Sequence, residues 1–583
     1  MNKQLLFLLT VILYGMLSYG QTFTFNGINY TVTDAVAETV EVASNTNYTG
    51  AAVIPATVTD GGVTYQVKAV GLEAFKDCVG LMSVSMPNSI EIIENSAFHN
   101  CTGLTSVNIP NSVSAIYFHA FRNCTGLTSL DIPDSVLTIG RYAFSGCTGL
   151  TSLNISNSVR SIGPFAFSNC RSITSLSIPD SISIIAESAF SGCTRIESLD
   201  IPDSIEGIRD YAFAGCHSIT SLDIPNSVLT IGSSAFRGCA SLTSIVIPDS
   251  VVSIGDSTFR DCTGLTTIDI PDSVSRIEDF TFYNCTGLTS IIISNSVVAI
   301  GRYAFSRCSS LESINIPDSV TSIGEFVFQA STGLRSLNIP DSVTTIEKGT
   351  FSNCTGLISI SIPSSITSIG DSAFSSCVNL RSLDIPESVV SIGTNGFYNC
   401  RALRSLDIPN SITSIGARSF SNCKNLTTLS IPNSVISIGE VAFSDCTSLT
   451  SVTVAHASPL SINSNVFENV NTAAATLHVP SGRKIAYRAA DVWRDFGTVL
   501  NTEELQKNAN TFSMYPVPNK GVLNVKSKVY DSFQIINQYG QEVKRFTVAP
   551  GVATKLNISF LSDGIYYVKA VQSTSTKKLV IKK

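Results

Sequence analysis

Sixteen cysteines occur in the chain, and all of them fall on one 23-residue grid from Cys78 to Cys446. The grid has 17 positions, and only Ser331 lacks a thiol. Cysteine can attack an electrophile as a thiolate, close a disulfide, or join three other ligands around zinc. Each option makes its own demand on geometry. If every 23-residue unit is one layer of a stack, successive Cα atoms lie about 4.8 Å apart, within disulfide range. Parallel Cβ vectors would stay that far apart too, beyond the usual ~3.5–4.5 Å. Ser331 also divides the column into runs of 11 and 5, both odd, so pairing neighbours strands a thiol in each run. A column aligns ligands without converging them, and none of the five histidines shares the grid. Buried, reduced cysteine acting as a small hydrophobe is therefore favoured over disulfides and over metal.

Other chemistry is equally hard to assemble. His99, His119, His217, His456 and His478 are scattered. No HExxH, GxSxG, phosphate-binding glycine loop or calcium-loop aspartate ladder is present. Serine is abundant but has no paired base. The sequence thus points to a protein that is not an enzyme and needs no cofactor and no metal.

What positions the cysteines is the rest of the repeat, as in CTGLTSLDIPDSVLTIGRYAFSG, residues 124–146. Phenylalanine stands three residues before all 17 grid points, and Leu or Ile three residues after. A fixed period with L-x-x-L-x-L spacing predicts a β-rich leucine-rich-repeat solenoid. In SLDI, Leu130 and Ile132 alternate with Ser129 and Asp131, as on a half-buried strand. Pro133 lacks an N–H and ends the pairing, and Asp-Ser suits the turn that follows. VLTIG can form a second short strand of a parallel sheet, and RYAFSGC reads as a short helical turn. The Gly, Asn or Asp before most cysteines tolerates the left-handed conformation that ends such a turn. A single 23-residue unit cannot offset its ordering entropy, so rungs must stack.

The ends depart from the grid. MNKQLLFLLTVILYGMLSYG, residues 1–20, has a lysine, an apolar run and small residues before Gln21, the pattern of a secretory signal peptide. No later stretch is long enough to span a membrane, so none is expected in the mature chain. Residues 21–77 read as an N-terminal cap and first rung, with an Asn26-Gly27 hairpin and an Asp60-Gly61-Gly62 turn. The array occupies 78–454, a C-terminal cap with Trp493 occupies 455–500, and 501–510 is a polar linker. Residues 511–583 alternate like strands of a small β-sandwich, and residues 503–583 hold 12 Lys/Arg against 5 Asp/Glu, a charge of +7. The whole chain carries −7, which leaves −14 on everything before them. An acidic body argues against nucleic acid and against an anionic membrane as partners.

Residues 22–500 resemble the BspA-like (Treponema-type) leucine-rich-repeat family, whose signature is similar to LxxLxIPxSVxxIGxxAFxxC. The VPSGRKIAYRAADVWRDFG ending is similar to the tail that closes such arrays. This resemblance implies a secreted or surface solenoid, often adhesive. Residues 511–583 resemble the type A sorting domain of the type IX secretion system of Bacteroidota. The matching pieces are MYPVPNKGVLNV, QIINQYGQEV, LNISFLSDGIYYVKA and KKLVIKK. Val517 stands where that motif has asparagine, while Tyr515, Pro516, Pro518, Gly521, Gly564 and Tyr566 keep to it. The resemblance implies passage through the periplasm, handling by the type IX machinery, and delivery to the outer surface or the medium.

The repeated surface is the remaining place for function. The column at Ser129 holds 15 Ser and 2 Thr, and the next outward column holds 6 Asp, among them Asp131, Asp200 and Asp223. Small polar groups of this kind can simply solvate a sheet. Two residues before the phenylalanines stand Tyr142, Phe165, Tyr211, Phe280, Tyr303 and Phe326. Recurrent aromatics can stack on sugars or a protein partner, or pack half-buried against the next rung. Three functional readings follow: multivalent binding of an extracellular polymer or protein, a purely structural stalk or coat, and ice binding. Threonine at 10 of the 17 Thr128-like positions suggests the last, but its neighbour is serine and no Thr-x-Thr lattice appears.

Overall fold

The computed structural model describes residues 20–502, 512–515, 521–527, 531–549, 553–571 and 576–581. The signal-peptide residues 1–19 and most of the polar linker lie outside them. The chain divides into two compact units, one up to Ala402 and one from Leu403.

In the first unit, strands Thr22–Phe25 and Ile28–Asp34 pair antiparallel, with Phe25 opposite Ile28. Asn26 and Gly27 between them have φ of 49° and 79°, the left-handed pair that a tight hairpin requires. Strands Thr57–Asp60 and Val63–Val70 form a second hairpin around Gly61 and Gly62. From there most rungs contribute two short parallel strands. Ser129–Ile132 pairs with Ser152–Ile155, Leu130 opposite Leu153, and Thr138–Ile139 pairs with Ser161–Ile162. The register equals the sequence period, so each side chain sits on its counterpart one rung away. Val136, Ile139, Ala143, Phe144, Cys147 and Leu150 are fully buried, and Leu130 and Ile132 nearly so.

Phenylalanines form the spine of this core. Phe75 to Phe397 stack face to face along the first unit, with centroid separations from 4.9 Å (Phe98–Phe121) to 6.0 Å (Phe236–Phe259). Each such pair adds about 0.5–1.5 kcal/mol beyond its buried area. The turn after Pro133 is pinned to the previous rung by serine, as Ser204 Oγ donates to the Ile182 carbonyl at 2.8 Å and Ser250 to that of Val228 at 2.9 Å.

The RYAFSGC segment is a series of single i→i+3 turns and not a continuous helix. Ala143, Ser145 and Cys147 donate their N–H groups within the rung, to Gly140, Tyr142 and Phe144. Tyr142, Phe144 and Gly146 donate instead to Pro164, Ala166 and Ser168 of the next rung, at 2.8–3.0 Å. Left-handed residues at Tyr142 (φ 57°) and Gly146 (φ 76°) turn alternate N–H groups toward the neighbouring rung.

In the second unit, Ser405–Asp407, Thr428–Ile431, Ser451–Val454, Thr476–Val479 and Thr498–Asn501 continue as one parallel sheet. Phe467 stacks on Phe443 at 5.7 Å despite the 24-residue step. The helix Lys484–Ala489 and the 3-10 turn Trp493–Asp495 close this end, with Trp493 Nε1 donating to the Leu460 carbonyl at 2.7 Å. Residues from 512 onward form two antiparallel sheets. One holds Phe512–Tyr515, Val522–Ser527 and Ala553–Asn557. The other holds Asp531–Asn537, Glu542–Val548, Gly564–Ala570 and Thr576–Ile581. Leu523 and Val525 of the first share one core with Ile535 and Val568 of the second, as in a β-sandwich.

Candidate binding surfaces

All 16 cysteines are free and buried. Each thiol has a defined role: Cys101 Sγ donates to the Phe75 carbonyl at 3.0 Å, and Cys285 Sγ to that of Phe259 at 3.0 Å. Burial pushes the Cys101, Cys193 and Cys308 thiols up to about 12, far from the thiolate form that nucleophilic or metal chemistry needs. Among the described residues, no group of three or more His, Cys, Asp or Glu side chains converges to hold a metal.

The position of Tyr142, two residues before the phenylalanine, is left-handed in all 17 rungs, from Glu73 (φ 55°) to Val441 (φ 50°). The recurrent aromatics are therefore held in a conformation that costs an L-residue about 1–2 kcal/mol. They form two ladders. Tyr142 stacks on Phe165 at 4.6 Å, and Phe280, Tyr303 and Phe326 stack at 4.8 Å each. All five are half-buried. Tyr211 stands apart, 42 % exposed, between rungs that carry Ser188 and Ser234 at the same position. The second ladder ends at Gly349, where a Cβ would lie 2.2 Å from the Phe326 ring.

Arg141 stands next to Tyr142 in the sequence, but sequence reasoning missed the other groups that flank these ladders. Tyr117 and Phe118 are 41 % and 40 % exposed, and His119 stacks on Phe118 at 4.0 Å and meets Tyr142 edge-on at 5.0 Å. Burial first, and the neighbouring Arg122 second, lower His119 to about 4, so it is neutral at physiological pH. Arg122 and Arg141 lie over the Tyr142 ring at 5.3 and 5.1 Å. On the second ladder, Arg260 covers Phe280 at 5.6 Å and Lys348 covers Phe326 at 5.9 Å. The signal was legible: AIYFHAF sets three consecutive ring residues where other rungs write IGRYAF or IGSSAF.

Asp131, Asp200 and Asp223 are exposed on their strands. Asp131 accepts a bond from Asn154 Nδ2 at 2.6 Å, one rung on, so part of this column is satisfied internally. In the C-terminal sandwich, Tyr515 ends the strand Phe512–Tyr515, and Gly521 (φ 112°) precedes Val522–Ser527. Gly564 opens the strand Gly564–Ala570, and the buried Tyr566 places its hydroxyl 3.1 Å from Ser562 Oγ. Pro516 and Pro518 lie outside the described residues.

Six overlapping segments between residues 68 and 474 match the BspA type leucine rich repeat region, the first at 68–194 and the last at 344–474. The chain belongs to the BspA-type leucine-rich-repeat family. Residues 513–582 match the secretion system C-terminal sorting domain, which marks this BspA-type protein for secretion or outer-surface display. Among the described residues, no helix is long and apolar enough to cross a membrane. Solved structures similar to this BspA-type chain include a leucine-rich repeat protein from Bacteroides ovatus. It is 29 % identical, with 71 % of this chain and 95 % of that one covered and a TM-score of 0.48. A leucine rich cell surface protein from Faecalibacterium prausnitzii is 25 % identical, covering 74 % and 94 % with a TM-score of 0.37. A leucine-rich repeat protein from Eubacterium ventriosum is 21 % identical, covering 69 % and 95 %, with a TM-score of 0.36. No curated protein matches the chain.

Proposed function

We propose that the array is a non-catalytic extracellular binding surface that engages a polymer, a glycan or a fibrous matrix protein, through many weak contacts. The two aromatic ladders carry this reading. Their ring faces are used on one another, so they present ring edges, tyrosine hydroxyls and the flanking guanidinium groups in a line at the rung spacing of about 5 Å. Repetition at that spacing suits a repetitive partner, for which affinity accumulates over rungs. Type IX export supplies the place where such partners are met.

Deleting whole 23-residue units tests the reading. Removing the rungs that carry Phe118, Tyr142 and Phe165 should weaken binding to a responsive glycan or matrix protein far more than removing those with Ser188, Ser234 and Ser257. Equal losses would show that the ladders are not the contact surface. A second reading, a structural stalk or coat, draws on the half-burial of the rings, which already serve packing. Absence of binding across a broad glycan and matrix-protein panel would favour it.

A further inference from the structure

The column four residues after each grid position holds threonine in 10 of its 17 rungs. Several of these hydroxyls fold back on the carbonyl one rung earlier, as Thr266 does on Thr243 at 3.0 Å and Thr289 on Thr266 at 3.1 Å. Hydroxyls spent in this way leave little for a ligand. At Glu312 the column changes: Glu312, Arg335, Ile358 and Arg381 occupy four successive rungs, and Arg404 the fifth.

Their backbones remain locked in register. The N–H of Arg335 donates to the Glu312 carbonyl at 3.0 Å, that of Ile358 to Arg335 at 3.1 Å, and that of Arg381 to Ile358 at 3.2 Å. All four side chains are exposed, Ile358 by 39 %. Over the same rungs the longer strand of each repeat is unpaired, apart from one bridge between Asn338 and Ser361. A groove of about 520 Å³ opens there, and Glu312, Arg335, Ile358 and Arg381 line it. The arginines are barely neutralised. Arg335 meets Glu312 only at 3.8 Å, with the side chains 63 % and 69 % exposed, a pair worth little. Arg381 pairs with no carboxylate among the described residues.

We propose that this groove binds an anionic polysaccharide, with Arg335 and Arg381 each holding one carboxylate or sulfate and Ile358 under the sugar ring between them. A guanidinium fork matches either oxyanion in bidentate fashion. The two forks stand two rungs apart, about 10 Å at ~4.8 Å per rung. An acidic disaccharide repeat returns its charge over about that length. An extended acidic peptide returns a side chain to the same face every ~6.8 Å and falls out of register. Ile358 offers an apolar patch to the C–H face of a pyranose. This column is separate from the aromatic ladders, and the inference stands whether or not they bind anything.

The test uses the full secreted chain with hyaluronate and chondroitin sulfate as probes, against dextran, polyglutamate and inorganic sulfate. Binding of one or both acidic polysaccharides and not of dextran is expected, weakening as salt screens the charges. The Arg335→Gln/Arg381→Gln double variant should lose at least tenfold in affinity with an unchanged unfolding midpoint. Glu312→Gln should gain severalfold by removing the competing carboxylate, and replacing Tyr142, Tyr211 and Tyr303 should leave this binding intact. Which probe binds tells carboxylate from sulfate recognition. Failure of both, or an unaffected double variant, overturns the proposal. Polyglutamate binding as tightly would assign the groove to an acidic protein, and inorganic sulfate competing charge for charge would reduce it to a simple anion site.

Discussion

Ser331 donates its hydroxyl to the carbonyl of Phe305 at 2.7 Å, the bond that Cys308 makes with its thiol to Phe282 at 3.2 Å. The one break in the cysteine grid therefore keeps the donor and changes only the atom. Cysteine here is a buried hydrogen-bond donor of the right size, which explains why serine can take its place. Chemical unfolding should show Cys262→Ser within about 1 kcal/mol of the parent and Ser331→Ala losing about 0.5–1.5 kcal/mol, the net worth of one bond. A Ser331→Ala protein as stable as the parent would remove the bond from the account.

Burial raises the thiols of Cys193, Cys308 and Cys354 from the ordinary value of 9.0 to about 12. The folded chain thus keeps protons that the unfolded chain releases above pH about 9. Stability from this source is complete below that pH and is lost as pH rises toward about 12. Urea midpoints should be level from about pH 6 to 8 and fall steadily above about 9. Replacing several column cysteines by serine should flatten the fall; an unaltered slope would place the effect elsewhere. Thiol reagents at neutral pH should label the native protein hardly at all and the denatured protein at all 16 positions.

Val441 sits at φ 50°, a conformation that strongly disfavours a β-branched side chain. Gly349 occupies the equivalent place in another rung with φ 62°. Val441→Gly should therefore stabilise the second unit by on the order of 1 kcal/mol, read as a higher unfolding midpoint. A lower midpoint would mean that the valine side chain returns more in packing than its backbone strain costs.

Removing residues 511–583 should leave the array folded but retained in the periplasm, since the sorting match lies within that segment. Cell fractionation with circular dichroism of the retained protein separates a delivery defect from a folding defect. Normal appearance of the truncated chain outside the cell would contradict the role of the tail.

The stacking of rungs was legible because register and period coincide: Phe144, Cys147 and Leu150 recur every 23 residues and each lands on its own kind. The left-handed position was not, because Tyr142 and Phe165 are among the last residues one would place there. Its sign lay in the other rungs, where Gly349, Asn395 and several serines occupy that position. The expected helical turn gave way because alternate N–H groups serve the next rung. The arginine groove was not legible because threonine fills ten of the 17 positions in its column, and the unpaired strands beside Glu312, Arg335, Ile358 and Arg381 have the same alternating pattern as the paired ones.

The alternation of N–H groups between Tyr142, Phe144 and Gly146 and their acceptors one rung on also has a mechanical consequence. These bonds point from layer to layer, so a pull on the two ends loads a few at a time, like a zip, instead of all together in shear. Each layer that opens releases 23 residues, about 75 Å of chain at ~3.3 Å per residue, in place of a folded rise of about 5 Å. A tethered array built this way yields in small steps under flow and can close again layer by layer, so it damps a tug where a rigid rod would transmit it. Single-molecule stretching should show increments near that length or small multiples of it; one event releasing the whole array would mean that the layers do not open separately.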